Sequence, residues 1–286
     1  MICHLPMFLS GLTAGRSLPS VAPQPFRDIL PTIKQDVPNP KGKIAIFTGC
    51  LLDFVYVDIA TDVVKALNMA GYIVEMPLGQ ACCGAPATYM GDVENAKKAA
   101  EMNLNAMEAE KYDYIVSACP TCTHALRDYV DFFKDNPEML KKAEELRSKT
   151  FDFCKLVSML GGLPDTGDGV PMKVTYHDSC HLNRYLGVTK EQRELLKATK
   201  GVELIEMHDC DKCCGFGGSY SVKFPEMSAP ILEEKINNIV ASGADVVAVD
   251  CPGCLLQIRG GLDARGLNNI QVKHTAQIVV EKREKK

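Results

Sequence analysis

Ten cysteines fall in a pattern that the chain contains twice. The first copy is Cys50, then Cys82-Cys83-Gly84, then Cys119-Pro120-Thr121-Cys122. The second is Cys180, then Cys213-Cys214-Gly215, then Cys251-Pro252-Gly253-Cys254. The intervening stretches are 31 and 35 residues long in the first copy and 32 and 36 in the second. Thiolate is a soft donor that favours iron–sulfur clusters and zinc. A cubane cluster or a structural zinc takes four cysteines, whereas each copy offers five. Two adjacent cysteines do not easily both point at one iron. Five thiols in this order therefore point to a more open metal array with a shared thiolate, or to a four-ligand site with one thiol to spare. Zinc in both copies, zinc in one copy and a cluster in the other, and buried structural thiols are the competing readings.

A disulfide framework fits poorly. The chain has 13 cysteines, an odd number, with vicinal Cys-Cys pairs and no basic, apolar secretory leader. In a reducing compartment Cys-x-x-Cys patterns bind metal or do redox chemistry more often than they form bridges.

The elements that must position these thiols read as alternating strands and helices. Lys43 to Gly49 is a short apolar, β-branched run, and Cys50 stands just past its end. Asp58 to Ala70 has helical spacing and stops at Gly71. Tyr72 to Met76 is a second strand and Tyr112 to Ala118 a third, with Cys119 at its end. Asp92 caps a long helix between them. Thr121 to Phe133 begins another helix, and a charged helix runs from Pro137 to Lys149 with weak periodicity to Leu160. The order then restarts. Strands are expected at Lys173–His177, Val202–Met207 and Ala244–Val249, helices at Thr189–Lys200 and Ser228–Ser242, and a last short helix from Leu255.

Equivalent cysteines lie 130 (50 to 180), 131 (82 to 213) and 132 (119 to 251) residues apart. So constant an offset indicates internal duplication. Strand–helix–strand alternation implies parallel strands with right-handed crossovers. The expected fold is α/β, with two pseudo-symmetric lobes, each a small parallel β-sheet flanked by helices. Ligands sit at the C-terminal ends of such strands, where the lone cysteine and the Cys-x-x-Cys of each copy fall. Gly84 and Gly215 allow close backbone approach or positive φ there, and helix starts at the Cys-Pro segments aim free N–H groups at thiolate or sulfide.

The chain has 286 residues, a formal net charge of −4 and 46% hydrophobic residues. This balance gives no electrostatic reason for nucleic-acid binding. No stretch approaches the roughly 20 apolar residues needed to span a bilayer. A cytoplasmic protein is expected, held at the inner face of a membrane only through a partner. The basic run Lys282–Lys286 reads as a solvated tail.

Cys-x31-Cys-Cys-Gly-x34-Cys-Pro-x-Cys, given twice, resembles the cysteine-rich CCG domain pair. That pair occurs in the B-type subunit of heterodisulfide reductase and in iron–sulfur subunits of glycolate oxidase and of lactate utilisation. The phrases Tyr-His-Asp-Ser-Cys-His (176–181), Cys-Cys-Gly-Phe-Gly-Gly-Ser-Tyr-Ser-Val-Lys (213–223) and Cys-Pro-Gly-Cys (251–254) are close to the glycolate/lactate branch. The proline-rich composition of 1–41 reads as an arm or linker and the Gly- and Pro-containing run 161–171 as a linker, and the resemblance implies a CCG domain over 42–160 and a second over 172–286. It implies one iron–sulfur cluster per motif, of the noncubane [4Fe-4S] kind in heterodisulfide reductase, with zinc at one site in some members. The implied ligands are Cys50, Cys82, Cys83, Cys119 and Cys122 in one lobe, and Cys180, Cys213, Cys214, Cys251 and Cys254 in the other.

The function implied is that of an iron–sulfur electron-transfer subunit in a 2-hydroxy-acid (glycolate or lactate) oxidoreductase complex. Electrons would pass from a flavin-containing dehydrogenase subunit to a quinone or another carrier. A catalytic heterodisulfide reductase subunit and a zinc-bearing scaffold are the alternatives. Glycolate-oxidase-type subunits carry ferredoxin-like cysteine runs before these domains, and this sequence has only Cys3 there. A ferredoxin-type iron–sulfur subunit or domain is therefore an expected partner.

No residue is assigned a catalytic role. Cys210, Cys3 and Cys154 read as accessory or ordinary thiols. His177 and His181, which flank Cys180, and His124 read as hydrogen-bonding or packing residues, with ligand or proton donor as the sharper alternative. His208 and His274 read as surface or packing residues. The glycine run 215–218 lacks the Gly-Lys-Ser/Thr of a phosphate loop.

Overall fold

A computed structural model of the chain describes residues 2–3, 18–165 and 169–284. Residues 1 and 4–17 of the segment read as an arm, and residues 166–168 of the linker, lie outside these. Two compact units result. The first, Ala22–Pro164, contains the first cysteine set. The second holds the other set and comprises Asp165–Lys286 with the N-terminal residues to Val21. From that N-terminal part, strands β1 (Ile2–Cys3) and β2 (Leu18–Pro19) pair antiparallel.

In the first unit β3 (Lys43–Ile46), β4 (Ile73–Glu75), β5 (Tyr114–Ser117) and β6 (Thr150–Asp152) form one sheet in the order β4-β3-β5-β6. All its pairings are parallel. In the second unit β7 (Met172–His177), β8 (Val202–Leu204), β9 (Val246–Val249) and β10 (Gln271–Lys273) repeat the arrangement as β8-β7-β9-β10. These too are all parallel. Parallel sheets are covered on both faces, so their central strands are continuous apolar runs. Ile44, Ala45 and Ile46 of β3 and Val247, Ala248 and Val249 of β9 have no exposed surface. Each of these isoleucine and valine side chains contributes about 1.5–3 kcal/mol on burial.

The helices of the first unit are α1 (Phe26–Ile29), α2 (Gly49–Phe54), α3 (Val57–Met69), α4 (Ala85–Tyr89), α5 (Val93–Met107), α6 (Pro120–Asp128), α7 (Pro137–Lys149) and α8 (Phe153–Met159). Those of the second are α9 (Glu191–Lys197), α10 (Tyr220–Lys223), α11 (Pro225–Ser242), α12 (Pro252–Ala264) and α13 (Thr275–Glu281). Asp92 caps α5 as expected, its carboxylate accepting from the N–H of Asn95 at 3.2 Å. Within the proline-rich segment, Phe26 of α1 is buried and Arg27 pairs with the fully buried Asp53 of α2.

Three readings need correction. Helical periodicity across Pro137–Leu160 conceals β6, which splits the stretch into α7 and α8. Asp152 ends the strand and caps α8 by accepting from the N–H of Cys154 at 2.9 Å. The last short helix is not the end of the fold, because β10 and α13 follow it and complete the sheet. The basic run is not a solvated tail in its described part. Lys282 and Arg283 are buried, Lys282 Nζ donating to Val170 O at 2.6 Å and Arg283 to Thr199 Oγ1 at 3.1 Å.

Candidate metal centres

Each cysteine set assembles at the C-terminal edge of its sheet. In the first unit Cys50 lies in the first turn of α2, directly after β3. Gly49 has φ +56°, and a Cβ there would stand 3.1 Å from Cys122 Sγ. Cys119 lies two residues past the end of β5 and directly precedes α6, with Pro120 at the first helical position and Thr123 Oγ1 donating to Cys119 O at 3.1 Å.

The Cys82-Cys83 loop is held by side chains far away in sequence. Asn103 of α5 accepts from the N–H of Ala81 at 2.8 Å and donates to Cys82 O at 2.9 Å. Tyr129 donates to Cys83 O at 2.9 Å. Gln80 donates to Ile46 O and accepts from Thr48 N–H, tying the loop to the strand end. Gly84, at φ +81°, turns the chain into α4.

The result is a continuous run of touching thiols. Cys50 meets Cys82, Cys82 meets Cys83, Cys83 meets Cys122, and Cys122 meets Cys119. The second unit repeats it: Cys180 to Cys213, Cys213 to Cys214, Cys214 to Cys254, and Cys254 to Cys251. All ten cysteines singled out from the sequence thus lie in two groups of five. Cys83, Cys119 and Cys122 are buried, as are Cys214, Cys251 and Cys254, while Cys50 and Cys213 are exposed.

Hydrogen bonds from Cys50 and then Cys83 hold Cys82 far below the ordinary thiol range. Those from Cys180 and then Cys214 do the same for Cys213. Contact with these thiolates pushes Cys50 and Cys180 up. Five thiols in contact cannot all ionise without a cation, and a metal is the cation that thiolate prefers. Beside the lone cysteines, Thr48 Oγ1 and Ser179 Oγ are buried without a hydrogen-bond partner. The donor set and these orphaned groups fit a bound iron–sulfur centre.

In the second unit, Gly215 (φ +82°) accepts from Ser228 Oγ at 2.6 Å, and its N–H donates to Cys213 Sγ at 3.3 Å. The position matching Asn103 is taken by Lys235. It is 2% exposed and donates to the carbonyls of Asp209 and Cys210 at 2.5 and 3.3 Å. Cys210 is no part of the thiol run; its sulfur accepts from Arg193 at 3.5 Å. Arg193 also grips the buried Asp178 at 2.7 and 2.9 Å, together with Glu206. Tyr176 donates to the buried Asp250 at 2.6 Å.

The histidines separate. His181 Nδ1 lies 3.6 Å from Cys180 Sγ, and its ring stacks on Tyr185. His124 pairs with Asp128 at 3.1 Å. His274 is buried and caps α13, whereas the side chain of His208 is 81% exposed. His177 departs from the hydrogen-bonding role read for it. It is completely buried, and neither ring nitrogen has a hydrogen-bond partner among the described residues. Burial first, and then Lys235, push its pKa down to about 4. Cys154 is a buried thiol of α8 outside both groups. Sequence reasoning overlooked Asn103, Tyr129 and Lys235. Carrying the 132-residue offset beyond the cysteines would have paired Asn103 with Lys235.

Among the described residues no helix is long and apolar enough to cross a membrane. A cysteine-rich domain family, CCG, matches residues 44–127 and again 174–259. Lactate utilization protein A of Shouchella clausii (strain KSM-K16) is 39% identical over 240 residues, covering 84% of this chain and 99% of the relative. Lactate utilization protein A of Bacillus subtilis (strain 168) is 36% identical over 238 residues, covering 83% and 98%. Among solved structures, a hypothetical protein from Helicobacter pylori shares the fold at a TM-score of 0.62 and 11% identity, over 91% of this chain and 54% of that one.

Proposed function

Because the chain belongs to the cysteine-rich CCG domain family, we propose that it is the iron–sulfur subunit of a lactate-oxidising system. In this reading it receives electrons from a flavin-containing dehydrogenase subunit and passes them to a quinone or another carrier, with a ferredoxin-type subunit or domain as a further partner. The observation that carries it is the pair of five-thiol runs, each gathered at the C-terminal edge of its sheet. The names of the relatives, at 36 to 39% identity over most of both chains, supply the substrate.

Cys50, Cys82, Cys83, Cys119 and Cys122 would hold one centre, and Cys180, Cys213, Cys214, Cys251 and Cys254 the other. When bound, such a centre supplies one-electron transfer. The chain's own residues fix its place and surroundings. Asn103 and Tyr129 set the Cys82-Cys83 loop in the first unit, and Lys235 holds the loop before Cys213 in the second. The apolar strand ends exclude water from the buried thiols, while Cys50 and Cys213 mark the side open to an electron partner.

Iron, zinc and sulfide counts on anaerobically prepared protein test this reading. Iron and sulfide at both sites, with a signal that lactate and the flavoprotein partner reduce, is the expected result. Zinc without iron would replace it with a non-redox scaffold. Disulfide-dependent oxidation of a reduced viologen by the isolated chain would replace it with a disulfide reductase.

A further inference from the structure

The duplication aligns His177 with Phe47, three residues before Cys180 and Cys50 respectively. Both side chains are fully buried where the central strand of their sheet ends. A phenyl ring is satisfied there by packing, and an imidazole is not. Both His177 nitrogens have left water with no hydrogen-bond partner among the described residues, an unfavourable state for a buried polar group.

The polar neighbours are committed elsewhere. Lys235 Nζ donates to the carbonyls of Asp209 and Cys210, and the Asp178 carboxylate is gripped by Arg193. What lies close is sulfur. A ring nitrogen of His177, Cys214 Sγ and Cys254 Sγ all fall within 4.8 Å of one another. Donors bound to one ion at zinc-like bond lengths sit roughly 3.5–4 Å apart, so these three can close on a single metal atom with small movements.

We propose that His177 is a nitrogen ligand of the metal centre in the second unit, so that two centres alike in their thiols differ by one donor. This rests on the reading of the cysteine sets as metal sites. A neutral imidazole has its lone pair free for a metal and brings no charge. The second centre therefore carries a donor that the all-sulfur first centre lacks, which separates the two in potential.

The test is pulsed EPR of anaerobically prepared, iron-loaded protein, made with natural and with 15N-labelled histidine. The expected result is a nitrogen coupling of directly bound-imidazole size on one of two centres. It should change isotope with the label and be lost in His177→Phe, the residue of the first unit. Should H177F fail to accumulate folded, the coupling retained in His181→Asn assigns it, because His181 is the other imidazole touching that thiol set. Iron present without a histidine coupling, a coupling only of hydrogen-bond size, or one lost in H181N overturns the inference alone. Protein that binds no metal overturns the reading beneath it as well.

Discussion

The ring of Phe216 lies where a side chain on Gly253 would begin. An ideal Cβ on Gly253 would stand 2.6 Å from Phe216 Cε1. The first unit has Ala85 and Thr121 at the matching positions, so a small–large pair has become a large–small one. Gly253→Thr should destabilise the second unit by about 1–3 kcal/mol through overpacking and lower its metal content. Adding Phe216→Ala should recover both. Denaturant unfolding and metal counts on the single and double variants check this; a double variant no better than G253T would show that the pair is not coupled.

Asn103 and Tyr129 satisfy buried carbonyls of the two vicinal cysteines in the first unit. Asn103→Ala leaves Cys82 O and the N–H of Ala81 without their partner, at about 1–3 kcal/mol for each buried group. Tyr129→Phe deletes two bonds, the one to Cys83 O and the one accepted from Asn103 Nδ2 at 2.9 Å, against three for Asn103→Ala, and should cost less. Both should lower metal retention at the first site and leave the second unchanged, as read by metal release to a chelator.

His177 gives metal-free protein a specific pH dependence. Its folded pKa of about 4 lies below the ordinary 6.5 of histidine. Between these values the unfolded chain takes up a proton that the folded chain refuses, so stability falls as pH drops from 6.5 toward 4. The loss is about 3 kcal/mol at most. Cysteines add slopes of their own, so the quantity to measure is the difference between wild type and H177F. Wild type should lose stability relative to H177F as pH falls from 6.5 toward 4, and the difference should stay flat above pH 7.

Arg193 makes a two-point contact with the buried Asp178, two residues before Cys180. Arg193→Met leaves that carboxylate buried and unpaired, and should cost about 3–5 kcal/mol. Asp178→Asn with Arg193→Met should cost less than R193M alone. Urea midpoints of the three proteins decide the matter; equal losses in the single and double variants would refute it.

The parts of the fold that were legible in the sequence are those written in consecutive residues. β3, β5, β7 and β9 are apolar runs with a cysteine at or just past their ends, and their spacing repeats. β6 and β10 are three residues long at sheet edges, as are β4 and β8, but Gly71 and Gly201 mark a stop within two residues before the latter pair and no glycine stands so close before β6 or β10. Thr150-Phe151-Asp152 was lost inside a helical period, although Asp152 is itself a cap. The candidate site divides likewise. The ten cysteines stood out by spacing, whereas Asn103 acts on Cys82 from 21 residues away and Tyr129 on Cys83 from 46. For His177 the sequence does not separate hydrogen bonding or packing from ligation, because the lack of hydrogen-bond partners exists only once the chain has folded.

The order of elements along the chain also sets an order of events during synthesis. Every strand and helix of the Ala22–Pro164 unit precedes the second cysteine set, so the ribosome releases that unit ready to fold while the second is still being made. The second sheet lacks its edge strand until Gln271–Lys273 emerges, and Lys282 and Arg283 seal it later still. The five thiols of the first unit are thus gathered early and those of the second last. A nascent chain stalled near residue 200 should already take up metal at one site.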